Sequence, residues 1–328
     1  MFVINDLHLG CNRTGGTTPD SAAALKRYMA TKLESVLFKA KGDLIVMGDL
    51  FDSYTVPNDV LLNTYEQFKD WQCWKHNLYM VPGNHDLSKD SSKLSSFALL
   101  CKLLGVDCLK GLTNLDDNIY TLSHCVNQEE FDLMLAKVPY CSYLLVHCNY
   151  DNNFAVNSDH SLNMSKAQAE ECKATKIYFA HEHHAREALG GKVFIGGNQF
   201  PSSVSDCLDK QDKYMYKLNE GNIMLEPTWT VDNFAEVDWK HPEPTNAEFV
   251  RIVGHALPAE AAAMADFIAS YRKTSEAYVV TNGVTVGEDA EVDALNLASL
   301  EALQAFNVRM ALQEYLTPEE NAIIESLV

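Results

Sequence analysis

Three features of the chain predict an α/β fold. Over the first two thirds, short apolar runs alternate with stretches of helical periodicity. Several of those runs lead straight into motifs rich in Asp, Asn and His, where open α/β sheets place their ligands. The 328 residues, 47% hydrophobic and 22% charged, have the composition of a globular protein with a sizeable core. At that length one large domain plus a smaller one is expected.

The elements follow in order. A strand at 2–5 ends at Asp6, and a glycine-containing loop spans 10–17. Thr18-Pro19 reads as an N-cap with proline at the first helical position, and Leu25, Met29, Leu33 and Leu37 recur behind it at helical spacing. Strand 43–47 runs into GDLFD, and strand 78–81 runs into PGNHD. Helices are expected at 57–72 and 90–104. Strand 143–146 ends at His147, and strand 176–180 ends at His181. From about residue 190 the pattern turns to strands (KVFIGG, KYMYKL, NIMLEP), with 219–221 as a hairpin turn. These are expected to form or complete a second sheet packed on the first. A Pro- and His-containing stretch, 238–246, reads as a linker between a domain of 1–235 and a small α/β unit of 247–286. That unit comprises strand 248–253, helix 258–272 and strand 277–281. After an acidic segment at 287–294, helices are expected over 296–328, the last opened by a capping box at Thr317-Pro318-Glu319-Glu320.

Composition excludes several classes. Nine scattered cysteines without a CxxC pair argue for buried free thiols in a reducing cytoplasm, against a disulfide framework or structural zinc. No apolar run is long enough to span a bilayer, and the N-terminus lacks the pattern of a secretory signal, so a soluble, cytoplasmic protein without membrane association is expected. The net charge of −19 is unevenly spread. Residues 1–42 carry six basic and three acidic groups, whereas 236–328 carry five basic and sixteen acidic ones. Nucleic-acid binders draw affinity from counterion release through basic groups. If DNA is the substrate, metal ions and a partner must supply much of the positive charge.

The motifs fit two-metal phosphoryl chemistry. It requires ions roughly 3.5–4 Å apart that clamp the attacking and leaving oxygens, and hence a carboxylate able to bridge them. Asp6-x-His8 offers two ligands from one side of a strand end, because alternate residues face alike. Asp49 in GDLFD is the natural bridge. Asn84 offers a neutral amide oxygen, His147 an imidazole, and His181-x-His183 repeats the i, i+2 spacing. His184 competes with His183, although alternation points it to the opposite face. Arg13, in the loop after DLHLG, reads equally as a contact to substrate phosphate or as a solvated cation.

The ordered set DLH, GDLFD, GNHD, a strand-terminal His and AHEHH resembles the calcineurin-like metallophosphoesterase superfamily over roughly residues 1–230. The resemblance implies a four-layer α/β/β/α sandwich with a dinuclear site across the strand ends. One ion would take Asp6, His8, Asp49 and His183, the other Asp49, Asn84, His147 and His181. It also implies that His85 serves as acid or hydrogen-bond donor to the scissile phosphate, and that Asp52 orients it. Asp86 reads as structural, bonding loop amides. One departure is Ala180, where the family usually has glycine, and its extra methyl is expected to need a permissive backbone conformation. The ligand types suit two divalent ions, with manganese expected and magnesium, zinc or iron as alternatives.

GDLFD and GNHD differ from the GDxVDRG and GNHE forms of protein serine/threonine phosphatases, which sets those aside. The order sandwich, linker, small α/β unit, terminal helices is similar to the SbcD-type DNA exonuclease subunit in its compact phage-encoded form. That likeness implies a small capping domain and C-terminal helices that dock on an SbcC-type SMC-like ATPase. The implied function is a 3′–5′ exonuclease and single-strand endonuclease in DNA recombination, repair or replication. The alternative is a phosphodiesterase or phosphatase of small nucleotides. In the tail, Leu303, Phe306 and Met310 with Leu300 follow one helical stripe, and Val308, Leu312 and Tyr315 another. This is expected where a helix meets a partner, with packing inside the chain as the alternative. A homodimer through helices 57–72 and 90–104 is a further expectation, though core packing explains the same apolar residues.

Overall fold

The computed structural model describes residues 1–12, 19–88, 93–116, 118–152, 161–219 and 222–287. Arg13 and the tail residues Leu303, Phe306 and Met310 lie outside them. The chain opens with β1 (Phe2–Ile4), α1 (Pro19–Lys39), β2 (Leu44–Met47), α2 (Asn58–Gln72), β3 (Leu78–Val81) and α3 (Ser96–Leu104). β1, β2 and β3 are parallel neighbours. β1 and β2 are buried along their whole length, as central strands covered on both faces must be. The stripe Leu25, Met29, Leu33 and Leu37 is buried against the sheet. α3 is held at both ends: the Ser95 side chain accepts from the Ala98 amide at 3.1 Å, and Gly105 closes the helix in the left-handed region at φ 70°.

A second run supplies β4 (Leu112–Asp116), β5 (Ile119–Leu122), α4 (Gln128–Leu135), β6 (Cys141–His147), the two-residue strands β7 (Asn149–Tyr150) and β8 (Asn163–Met164), α5 (Lys166–Glu171), β9 (Ala174–Ala180), β10 (Arg186–Ala188) and β11 (Val193–Ile195). Their sheet has the order β10-β11-β9-β6-β5-β4. Then β12 (Lys213–Asn219) and β13 (Asn222–Trp229) return to the first sheet, whose order is β13-β12-β1-β2-β3. The expectation for the strands after residue 190 is therefore corrected. β11 extends the second sheet, while β12 pairs antiparallel with β1 and completes the first. β12 takes the edge of β1 that β2 leaves open.

Three apolar clusters define the layers. One lies between α1–α3 and the first sheet, one covers the second sheet with α4 and α5, and the third, with Val3, Ile45, Leu145, Tyr178 and Tyr216, fills the space between the sheets. The architecture is the α/β/β/α sandwich. Beyond it, β14 (Phe234–Asp238), β15 (Phe249–Val253), α6 (Ala261–Thr274) and β17 (Val279–Asn282) build a small unit with its own core. Its parallel sheet is β14-β15-β17, and β16 (His255–Ala256) with β18 (Thr285–Val286) forms a short ladder beside it. The sheet begins at Phe234, ahead of the stretch read as a linker. The unit sits on the sandwich through Phe249 and Tyr278, whose rings lie 5.4 and 4.8 Å from that of Tyr28, and through an ion pair of 3.1 Å between Lys32 and Glu248.

Of the apolar residues on α2 and α3, Leu61, Phe68 and Leu100 are buried in the core, Tyr65 and Leu99 pack against it, and Leu103 is exposed. No helix among the described residues is long and apolar enough to cross a membrane.

Candidate metal centre

Two facing sheets converge on the site. β1, β2 and β3 deliver Asp6, Asp49 and Asn84 just past their C-terminal ends, while β6 ends on His147 and β9 stops one residue before His181. The DxH pair does not converge by strand alternation, because β1 ends at Ile4. Asp6 (φ 51°), His8 (φ 47°), Asp49 (φ 50°) and His181 (φ 90°) all adopt left-handed backbone. Such conformations cost energy and gather at functional sites, and Asp and His enter them more readily than bulky or branched residues. Amides of the first loop continue the β1–β2 ladder: Asp6 N–H donates to Gly48 O and His8 N–H to Asp49 O, each at 3.0 Å. The left-handed turns thus swing Asp6, His8 and Asp49 inward on a backbone that stays hydrogen-bonded.

The side chains form three groups whose ligand atoms lie within 4.8 Å of one another: Asp6, His8 and His183; His8, Asp49 and His85; and Asp49, His147 and His181. Asp49 joins two of them, with one oxygen 4.0 Å from His8 Nε2 and the other 3.4 Å from His147 Nε2. Asn84 Oδ1 stands 3.0 Å from the same His147 nitrogen. His8 and His183 face each other Nε2 to Nε2 at 3.0 Å.

Hydrogen bonds on the far side of the rings set which nitrogen faces inward. His147 Nδ1 lies 3.1 Å from Met47 O, a contact in which only the nitrogen can donate, so a neutral ring presents its Nε2 lone pair to Asp49 and Asn84. His183 Nδ1 does the same with Asp206 Oδ1 at 2.7 Å. The other Asp206 oxygen accepts from the Ser202 amide (2.8 Å) and hydroxyl (2.9 Å) and from the Ser203 amide (3.1 Å). Burial opposes the charge on Asp206, but His183 and the Ser202 donors outweigh it and hold the carboxyl well below its ordinary range. His183 is displaced upward: burial lowers it, and the bond to Asp206 more than reverses that.

Asp49 follows the same pattern, with burial opposed and overcome by His147, His8 and His85, which keep it ionised far below the ordinary range. His147 is pushed down by burial, yet Asp49, Asp6 and the Met47 carbonyl raise it to about 9. For His181 nothing compensates fully, and burial and His147 lower it to about 4. Among the described residues the buried acceptor Asp6 Oδ1 has no hydrogen-bond partner, while Asp6 Oδ2 accepts from the His181 amide at 2.8 Å. A buried carboxylate oxygen without a donor is costly. Inward-facing imidazole lone pairs and a shared carboxylate complete a donor set that fits two divalent cations.

Glycines make room for this packing. A Cβ on Gly48 (φ 88°) would collide with the His147 ring, and one on Gly83 would collide with the Asp49 carboxylate and amide. Asp86, buried between the same loops, accepts from the amides of Gly83 (3.0 Å), Phe51 (3.1 Å) and Leu50 (3.4 Å), the bonding expected of it.

Two expectations change in detail. His85 Nδ1 is oriented through the main-chain carbonyl of Asp52, at 2.6 Å, while an Asp52 carboxylate oxygen lies 3.4 Å from His8 Nδ1. At Ala180 no special conformation is needed: it is paired in β9 opposite His147, and the left-handed turn falls on His181. His183 rather than His184 meets Asp6 and His8, and His184 is exposed, with Nδ1 2.8 Å from Asp209. Sequence reading missed Asp206, whose visible signal is the SSVSD run with its Ser203–Asp206 capping box. It also missed Lys213, a buried lysine whose Nζ donates to His183 O at 3.2 Å.

A four-layer sandwich with paired Asp/His groups at its strand ends defines a metallophosphoesterase. The family model for calcineurin-like phosphoesterases matches residues 1–261, and the chain belongs to that family. Members typically bind two divalent metal ions and are metal-dependent phosphoester hydrolases. The match reaches past the sandwich, through β14 and β15 to the first residue of α6. No curated protein matches the chain.

Proposed function

We propose that the chain is a manganese-dependent DNA nuclease acting on phosphodiester bonds. The observation that carries the hydrolytic part is the shared Asp49, which links the groups around His8 and His147. Two divalent ions bound there would polarise the phosphate and supply an activated water. Asp6, His8 and His183 would hold one ion with Asp49, and Asn84, His147 and His181 the other. His85, with Nδ1–H committed to the Asp52 carbonyl, offers a proton from Nε2 only as the imidazolium, which suits protonation of a leaving oxygen.

The preference for DNA is supported by the small unit of 234–286. Its β15 and β17 pack on the short helix Val204–Cys207, which carries the Asp206 that holds His183. A cap joined to the metal centre in this way suits a long substrate better than a small one. The test is release of nucleotides from labelled duplex or single-stranded DNA with manganese. Asp49→Ala should abolish it, and His85→Ala should retain metal while losing about 10²–10⁴-fold in turnover. Activity that survives Asp49→Ala, or undiminished turnover in His85→Ala, would refute the assignment.

A second reading, a phosphodiesterase or phosphatase of small nucleotides, is favoured by the net charge of −19. Turnover of a nucleotide with none on DNA would select it. Under the first reading an SMC-like ATPase supplies the basic DNA path, and the tail stripe Leu303, Phe306, Met310 is its docking face. Leu303→Asp with Met310→Asp should then abolish co-purification with such an ATPase while the chain stays folded.

A further inference from the structure

One histidine at the centre belongs to none of the three metal groups. β5 runs parallel to β6 with Leu122 opposite Val146, so the residues just past β5 emerge beside His147 at the same C-terminal edge of the sheet. His124 is the second of these. Its backbone is pinned on two sides: the Ser123 amide donates to Gly111 O at 3.3 Å, the Gly111 amide to Ser123 Oγ at 2.8 Å, and the His124 amide to Pro82 O, in the PGNHD loop, at 3.3 Å. The half-buried ring stands edge-on to that of His147, with centroids 6.5 Å apart.

A histidine kept for structure ties its ring to a carbonyl or carboxylate, as His184 does to Asp209. Among the described residues, neither ring nitrogen of His124 has a hydrogen-bond partner. The ring is also outside the groups able to ligate an ion. It is thus a polar group with unused bonding capacity, rigidly presented next to the Asp49–His147–His181 group.

We propose that His124 is a substrate-contacting residue, whose imidazole hydrogen-bonds a phosphate oxygen seated at the Asp49, His147 and His181 side of the centre. The proposal rests on the phosphoester reading above. Its role is binding, and it leaves metal loading to the seven ligands. The sheet topology gives the reason: β3, β6 and β9 each lead into a residue on the Asp49–His147–His181 side, and β5, parallel to β6, leads into an imidazole that belongs to none of the metal groups.

The test uses the full chain loaded with manganese and inorganic phosphate as the probe, with phosphate affinity measured calorimetrically and bound manganese counted. His124→Phe and His124→Ala should keep the wild-type manganese count and bind phosphate about 10- to 100-fold more weakly, the loss expected for one hydrogen bond to a charged group. His124→Gln, which can still donate, should recover most of that loss. Unchanged phosphate affinity in both truncating variants overturns the proposal. So does loss of manganese in step with phosphate, which would make His124 a support for His147. If His124→Phe does not fold, His124→Ala and His124→Gln give the same comparison. A wild-type protein that binds manganese but no phosphate would overturn the phosphoester reading itself, and all variants would then behave alike.

Discussion

At the scale of single residues, the chemistry lies in how each imidazole is held. Asp206 fixes His183 through a charge-assisted bond and is itself held by Ser202 and Ser203. Carboxylates behind ligating histidines typically contribute 10–100-fold to metal affinity. Asp206→Asn should therefore weaken manganese binding by about 10–100-fold with the fold intact, as read by competition titration and thermal melting. His147 predicts a pH dependence. Its pKa of about 9 lies above the ordinary histidine value, so its pairing with Asp49 stabilises the metal-free chain fully below about pH 6.5 and is lost as the pH rises through about 9. A metal ion must displace that proton. Manganese affinity should then rise by about tenfold per pH unit from about 7 to about 9 and level off above, and a flat profile would contradict the protonated state. All seven ligand candidates were legible because Asp, Asn and His stood at the ends of apolar runs. Asp206 was not, because it meets His183 only after the chain crosses from the second sheet back to the first.

At the scale of elements, the site consists of strand ends that leave the strand conformation. Alternation predicts that Asp6 and His8 face alike, yet their convergence comes from left-handed turns, which sequence spacing does not reveal. The loops close so tightly that Gly83 touches Asp49. Gly83→Ala should destabilise the chain by about 1–3 kcal/mol, the usual cost of overpacking, and reduce the manganese bound. A variant with unchanged melting and metal content would show that the loop relaxes freely. Strands with strong apolar runs (β2, β3, β6, β9) were readable. β4 and β5 were not, since LTNLD and IYTL are short and without a clear apolar/polar alternation, and only the pairing of β5 with β6 and of β4 with β5 gives them a place. β12 and β13 were readable as strands, but their sheet was not. That choice depends on which sheet edge is open, and no local signal carries it.

At the scale of the whole molecule, the fold places an acidic chain around a site for an anionic substrate. The net charge of −19 leaves few basic groups to displace counterions from DNA. The chain alone should therefore bind DNA weakly, with log affinity against log salt sloping by less than about 3. A steep slope in a filter-binding or anisotropy titration would reveal a basic path that the sequence does not display. The small unit of 234–286 shares the Tyr28–Phe249–Tyr278 seam with the sandwich, so unit and site are expected to move as one piece.

One carboxylate, Asp49, is expected to join two metal ions at the meeting point of two sheets. Electron paramagnetic resonance of the manganese-loaded protein tests it most directly. Two manganese ions per chain are expected, with the multiline spectrum of an exchange-coupled pair that collapses to an isolated six-line signal or to none in Asp49→Ala. A wild-type chain that shows only the uncoupled six-line spectrum at saturation would contradict it.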